Sequence, residues 1–371
     1  MATENTNNIT SEPIILVESI SPVCDVQAFV EENNNTCYFY LWFFPGKEQA
    51  YIKSCWICNT SKAPTQLDKE AMEQGYAPAL EARYVKHDIN GIHLQKDSLS
   101  IVWFEEGDAA ALLENGSLLC VIPGWSGMMG NNNFSGYAKY ALGATPFAWE
   151  LEAAEPVLCA RVERCMAFWD YFEQDYWVNV QQTHLQTLEA FFGSYQRYFA
   201  IDGGDFPPKA LVTGKKNGIC YAFTAGVSLI PMPIVEQYYE GEQAHEFRRI
   251  ELGFAAVEAY EEICMQMYSY LSSLSSLPWN EISFLGHGHT IPCDAIEGYG
   301  AVWLLNTRLL PEIDAPSYGT FMYDSINMLW VIPITKPEYD LLRAVSVEEA
   351  LRRIACPLAQ LPVFDGSLRL Q

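Results

Sequence analysis

The sequence predicts a two-domain α+β protein, with a strand-rich domain over residues 14–151, a second domain over 152–371 that mixes helices and strands, and a polar tail over 1–13. Three observations predict it. The chain of 371 residues is too long for one ordinary core and suits two. Its first third carries aromatic and β-branched runs with little helical period. From about Glu155 onward, helical stripes alternate with short apolar runs.

The elements follow in order. Thr36 to Phe44 (TCYFYLWFF) reads as a strand closed by Pro45-Gly46, and Ala50 to Cys58 (AYIKSCWIC) as its partner. Asp68 to Gly75 reads as a short helix, capped by Asp68 and ended by Gly75. Ser98 to Phe104 is another strand. In Ala111 to Ile122, Asn115-Gly116 sits between two apolar runs. Both residues tolerate positive φ, so a type I′ hairpin is expected. A Gly-rich loop, Gly124 to Gly136, follows, and the first domain is expected to end near Leu151.

Glu155 to Gln174 spaces Leu158, Val162, Cys165, Trp169 and Phe172 by three and four, one face of a helix. Asn179 to Ala200 is read as a second helix with Leu185, Leu188, Phe192, Tyr195 and Phe199 as its stripe. Strands are expected at Ala210–Thr213, Gly218–Thr224, Arg248–Phe254, Ala301–Leu305 and Ile326–Pro333. Helices are expected over Ala256–Leu274, Lys336–Ala344 and Val347–Ala355.

Composition excludes several functions. Half the residues are apolar and 18% are charged, too few charges for long disorder. Forty-six acidic residues against 22 basic ones give a formal net charge of −24, which repels nucleic acid and anionic membranes and attracts a basic protein. No run of about 18 apolar residues spans a membrane. The polar start lacks a secretory pattern, and the 11 scattered cysteines suit reduced thiols, so a cytoplasmic location is expected.

Four segments resemble one family. Thr224 to Met232 (TAGVSLIPM), Arg249 to Leu252 (RIEL), Trp279 to Asp294 (WNEISFLGHGHTIPCD) and Leu329 to Glu338 (LWVIPITKPE) resemble, in order and spacing, the suppressor-of-fused (SUFU-like) domain of bacterial type, over roughly Ala153 to Ala355. Ile122 to Gly127 and Leu142 to Pro146 resemble a domain found ahead of it in some bacterial proteins. The large C-terminal extension of the animal protein is not visible. The resemblance implies a mixed β-sheet flanked by helices, no cofactor and no catalysis. It also implies a protein partner, most concretely a basic toxin neutralised in the cytoplasm by an immunity protein of a polymorphic toxin system. A regulatory scaffold restraining an endogenous protein, as in the animal relatives, is the alternative. Read physically, Leu329 to Ile334 suits a strand buried on both faces. Thr335 and Glu338 have the spacing of a capping box, so this motif is read as an architectural joint.

Candidate chemistry is sparse. His287 and His289, with Cys293 and Asp294 nearby, are metal-ligand types, and a metal-assisted hydrolase using the two imidazoles is a further alternative. A tight Gly turn whose imidazoles satisfy backbone groups accounts for them better. Cys55-Trp56-Ile57-Cys58 lacks a second pair and lies within a strand, so it reads as buried thiols. Gly124-Trp125-Ser126-Gly127 misses the spacing of a nucleophile elbow. Gly214 to Gly218 lacks the Ser/Thr of a phosphate loop and reads as a hairpin turn. Trp125, His287, His289 and Asp294 stand as candidate partner contacts.

Overall fold

The computed structural model describes residues 13–127, 134–239 and 241–370. The tail expected over residues 1–13 lies, apart from Pro13, outside the described residues. The chain divides into two compact units, Met1–Tyr171 and Phe172–Gln371.

In the first unit, β1 (Ile14–Ile20), β2 (Val26–Glu32), β3 (Thr36–Phe43) and β4 (Tyr51–Asn59) form an antiparallel meander. The sheet buries Phe39, Phe43 and Trp56, the large rings of the aromatic run and its partner. The helix α1 (Lys69–Glu73) is capped as expected. The Asp68 carboxylate accepts from the Ala71 N–H at 3.0 Å, and Gly75 follows at φ +88°. A second sheet runs β5 (Leu99–Trp103), β6 (Ala110–Glu114), β7 (Ser117–Ile122), β8 (Tyr137–Ala138) and β9 (Trp149–Glu150). Asn115 and Gly116 join β6 to β7 with φ of 50° and 77°, the expected positive pair.

The helix α2 (Glu155–Phe172) places Leu158, Val162 and Cys165 against Phe104, Ala111, Leu113 and Val121 in one core, and its Trp169 Nε1 donates to the Trp103 carbonyl at 2.9 Å. The helix expected to open the second domain therefore packs with the first unit.

The second unit begins with α3 (Trp177–Phe192). The sequence reading carried this helix to Ala200. Gly193 ends it at φ +90°, and residues 197–200 form β10 (Arg197–Ala200) along β11 (Ala210–Lys216). Phe199 thus lies opposite Leu211 in a sheet, not on the helical stripe. Asn217-Gly218, with φ of 54° and 77°, turns β11 into β12 (Ile219–Ala225). Then come the short helix α4 (Glu242–Phe247) and β13 (Arg249–Val257).

The long helix expected from Ala256 starts later, as α5 (Glu261–Leu274). Ala255 and Ala256 still pair with Tyr221 and Cys220 across the sheet. The chain continues through α6 (Leu277–Asn280), β14 (Thr290–Pro292), β15 (Tyr299–Asn306), β16 (Thr320–Phe321), β17 (Asp324–Thr335), α7 (Lys336–Ala344), α8 (Val347–Arg352) and β18 (Val363–Phe364).

Among the described residues, the sheet order is β10-β11-β12-β13-β17-β15-β14, with β16 beside β17 and β18 beside β13. The β13–β17 and β13–β18 pairs are parallel and the others antiparallel, so the sheet is mixed and the fold class α+β. Leu329 to Ile334 is buried at every position, as its apolar run predicts. Leu188 and Phe192 of α3 share a core with Val212, Phe223, Trp303 and Trp330, and Tyr339 of α7 and Leu351 of α8 pack on it. The alternate β13 residues Phe254 and Ala256 point to the other face by strand period. There α5 packs on β12 and β13 and buries Cys264, Met267 and Leu271.

The joint after β17 does more than cap a helix. Thr335 N–H and Oγ1 both donate to Glu338 Oε2 at 2.7 Å, and the Glu338 N–H returns to the Thr335 side chain to complete the capping box. The other oxygen, Oε1, accepts from the backbone N–H groups of Arg369 and Leu370. One buried carboxylate thus starts α7 and clasps the segment after β18. Glu338→Ala is expected to cost about 2–4 kcal/mol, the sum of a lost cap and two orphaned donors. Amide exchange at Arg369 and Leu370 should accelerate sharply; unchanged protection there would show that the clasp is held by something else.

Candidate partner-binding surface

The first two motif segments meet around two buried carboxylates, each the centre of a knot of hydrogen bonds. In the first, the β13 carboxylate Glu251 is fully buried. Its Oε2 accepts from Thr224 Oγ1 at 2.6 Å. Its Oε1 accepts from Gly226 N at 2.9 Å, Ser228 N at 3.0 Å and Ser228 Oγ at 2.6 Å. Thr224 Oγ1 in turn accepts from Leu252 N at 2.7 Å. The Thr-x-Gly-x-Ser spacing is therefore the spacing of donors curled around one carboxylate. Gly226 is required twice: its φ is +100°, and a Cβ there would lie 2.5 Å from the Pro208 carbonyl oxygen.

In the second knot, Asp324 at the start of β17 is also fully buried. Arg248 Nε and Arg249 Nε donate to its Oδ2 at 2.8 and 2.7 Å, and His245 Nδ1 lies 2.7 Å from its Oδ1. Burial pushes the Asp324 carboxyl up, but the His245 hydrogen bond and the Arg249 and Arg248 charges outweigh it and hold the group well below the usual carboxylate range. Arg249 Nη1 donates onward to the carbonyls of Ser228 and Leu229 at 2.9 and 2.6 Å, linking the two knots. Asn327 Nδ2 reaches the Glu246 and Arg249 carbonyls and ties α4 to the sheet.

Beside α4 the surface is aromatic. Tyr238, 64% exposed, packs its ring 4.9 Å from Phe284. Phe284 touches His289 at 4.8 Å, and Tyr239 stacks on Phe247 at 4.8 Å. Two β-branched residues lead into this strip with left-handed backbone: Ile234 at φ 53° and Ile282 at φ 47°. Such conformations cost on the order of 1–3 kcal/mol each and gather at binding sites. The strip is locked to the first motif from below, since Trp279 Nε1 donates to the Pro231 carbonyl at 3.1 Å.

Residues 207–365 match the model of the family described as suppressor of fused protein (SUFU). The chain carries a SUFU-like domain. No curated protein and no solved structure matches the chain. A SUFU domain points to protein interaction or regulation. Thr224, Gly226, Ser228 and Glu251 are buried in the framework, as are Leu329–Ile334 and Glu338 of the joint.

The SUFU-like domain holds three of the four residues singled out from sequence. His287 and His289 lie in one turn before β14. His287 Nδ1 accepts from Asn306 N at 3.2 Å, and His289 Nδ1 accepts from Gly286 N at 3.2 Å. Burial lowers both imidazoles below the ordinary histidine value, so both are neutral at pH 7. This is the backbone-satisfying turn that the glycines suggested, and only His289 also joins the aromatic strip. Asp294 is exposed, next to the buried Cys293. Among the described residues, no three His, Cys, Asp or Glu side chains gather as metal ligands.

Trp125 belongs to the first unit and is half-buried in the Gly-rich loop, of which residues 128–133 lie outside the described residues. In the same loop the Ser126 hydroxyl donates to the Ser135 carbonyl at 2.5 Å, and Lys53 Nζ donates to the Gly124 carbonyl at 3.0 Å. Cys55 and Cys58 are buried in β4. Sequence reasoning missed Tyr238, Phe284 and Asp324. Periodicity gives no sign of a strained backbone or of a carboxylate shared by two arginines.

Proposed function

We propose that this chain is a non-enzymatic, cytoplasmic binding protein whose SUFU-like domain captures and neutralises a basic, toxin-like protein. The observation that carries the reading is the family match over residues 207–365. The net charge of −24 supports a cationic partner, because it steers such a partner inward and disfavours nucleic acid. The strip of Tyr238, Tyr239, Phe247, Phe284 and His289 supports a contact surface, since aromatic rings supply large contact area at low entropic cost. We further take the SUFU-like domain to extend from the matched residues over the whole second unit, with the first unit as an accessory domain of bacterial type. Among the described residues, no helix is long and apolar enough to cross a membrane.

The test is affinity capture of the tagged full chain from its native host, with partners identified by mass spectrometry. One dominant basic protein is expected, released as salt rises from about 0.1 to 0.5 M, where screening shortens to a few ångströms. Recovery of endogenous regulators alone would replace neutralisation by regulation, and an empty capture would overturn the binding reading.

A further inference from the structure

The first unit turns an apolar sheet face to solvent. In β1–β4 the pairing register decides which side chains share a side of the sheet. Ile20, Gln27, Trp42 and Ile52 stand in one row across the four strands, and Glu18, Phe29, Tyr40 and Ser54 stand in the next. Glu31 lies two positions from Phe29 on β2 and so shares their side. The other side carries Val26, Ala28 and Val30, all buried. An antiparallel sheet that meets water on one face alternates to polar residues there. Here Ile20 is 75% exposed and Ile52 54%, and the partly exposed Phe29 and Tyr40 rings stack 5.1 Å apart. The chain covers one corner itself, where Tyr38 Oη donates to the Pro78 carbonyl at 2.8 Å, and leaves these two rows open.

The charge on this face has one sign. Lys53 is the one lysine or arginine in the four strands, and it stands on the other side, paired with Leu41 and with its Nζ on the Gly124 carbonyl. Glu18 accepts from the neutral Gln27 amide at 3.1 Å. Among the described residues neither Glu18 nor Glu31 is in an ion pair. Burial pushes the Glu31 carboxyl up, the direction of a carboxylate that no cation compensates. At the turn that follows the first row, Lys47 is already paired with Asp25 at 2.7 Å, and Glu48 beside it is exposed. These features choose among occupants. A second copy would set the same carboxylates against each other, and nucleic acid or an anionic membrane would add further negative charge. A segment with both apolar side chains and cations covers Ile20, Trp42 and Ile52 and neutralises Glu18 and Glu31. A guanidinium among them gains the Tyr40 ring as well.

We propose that this face of the β1–β4 sheet is a docking surface for an amphipathic, arginine- or lysine-bearing segment of a protein partner. This rests on the reading of a basic partner and deepens it, because it gives the first unit a contact of its own.

The test uses the full chain and labelled peptides of about twelve residues, about 18 Å as a helix, enough to cross four strands spaced about 4.8 Å apart. Leucine–arginine, leucine–glutamate and serine–arginine peptides are compared by fluorescence anisotropy at about 0.15 M salt, where distant charges are screened. The leucine–arginine peptide is expected to bind, the serine–arginine peptide about tenfold more weakly or worse, and the leucine–glutamate peptide not at all. Ile20→Ser/Ile52→Ser should weaken the first peptide by about tenfold or more, with the melting temperature held within about 2 °C because both side chains stand in solvent. Glu18→Lys/Glu31→Lys should reverse the preference, losing the leucine–arginine peptide and gaining the leucine–glutamate one, which an unfolded variant would not do. Binding that neither variant changes would overturn the docking face, as would failure of the leucine–arginine peptide to bind. A wild-type dimer that Ile20→Ser/Ile52→Ser dissolves, read by sedimentation, would make the occupant a second copy and overturn the proposal too. Host capture separates this inference from the reading beneath it. A basic partner held equally by the wild type and Glu18→Lys/Glu31→Lys sinks the face and leaves the reading standing, whereas a partner lost only by that variant supports both. If host capture yields no basic partner, the reading falls, and the reversal of peptide preference alone decides the face.

Discussion

Glu251→Ala is expected to remove about 4 kcal/mol or more of stability, a large share of what a domain of this size possesses. The carboxylate accepts from a curl of four donors. Without it, Gly226 N–H, Ser228 N–H and the hydroxyls of Thr224 and Ser228 lose an acceptor in a site closed to water. Glu251→Gln should cost far less, about 1–2 kcal/mol. Its remaining oxygen can serve the three donors now on Oε1, and its amide can donate to Thr224 Oγ1. Urea denaturation of the three proteins measures the difference. Equal losses in the alanine and glutamine variants would show that negative charge, not acceptor geometry, is what the site requires.

Asp324→Ala is expected to cost about 3–5 kcal/mol, because it strands two guanidinium groups buried beside it. The pH dependence has a definite sign. The folded carboxyl titrates below its unfolded value of about 3.9, so its stabilising contribution is present above about pH 4 and is lost as pH falls from there toward the depressed folded value. Wild type should therefore lose stability in acid more steeply than Asp324→Asn, which keeps the hydrogen-bonding shape without the titration. Parallel acid limbs in the two proteins would exclude Asp324 as the titrating group.

Much of the fold was legible because local chemistry and tertiary context agree. Asn115-Gly116 and Asn217-Gly218 turn where positive φ is cheap, Asp68 caps α1, and Thr335 with Glu338 builds the box their spacing announced. The failures lie where long-range pairing overrides a local stripe. Phe199 continues a helical spacing from Phe192, yet Gly193 breaks the helix and β11 supplies a strand partner. Ala255 and Ala256 favour helix, yet β12 and β18 on either side hold them in the sheet. The motif residues marked the framework of the site more than its surface. Glu251 and Glu338 are recognisable because geometry fixes them. Tyr238 and Phe284 follow the left-handed residues Ile234 and Ile282, for which a single sequence has no signature.

The parallel seam of the second unit also sets an order of assembly. β13 and the start of β17 are joined by groups 75 positions apart in the chain, as Arg249 and Asp324 are. Strands β10 to β13 can zip together as neighbours emerge, but the outer edge of β13 then waits for most of the remaining unit to be synthesised. During that interval Arg249 to Gly253 offers unpaired backbone, Arg249 and the adjacent Arg248 are without their shared carboxylate, and this is the stretch that a chaperone or a neighbouring nascent chain would meet first.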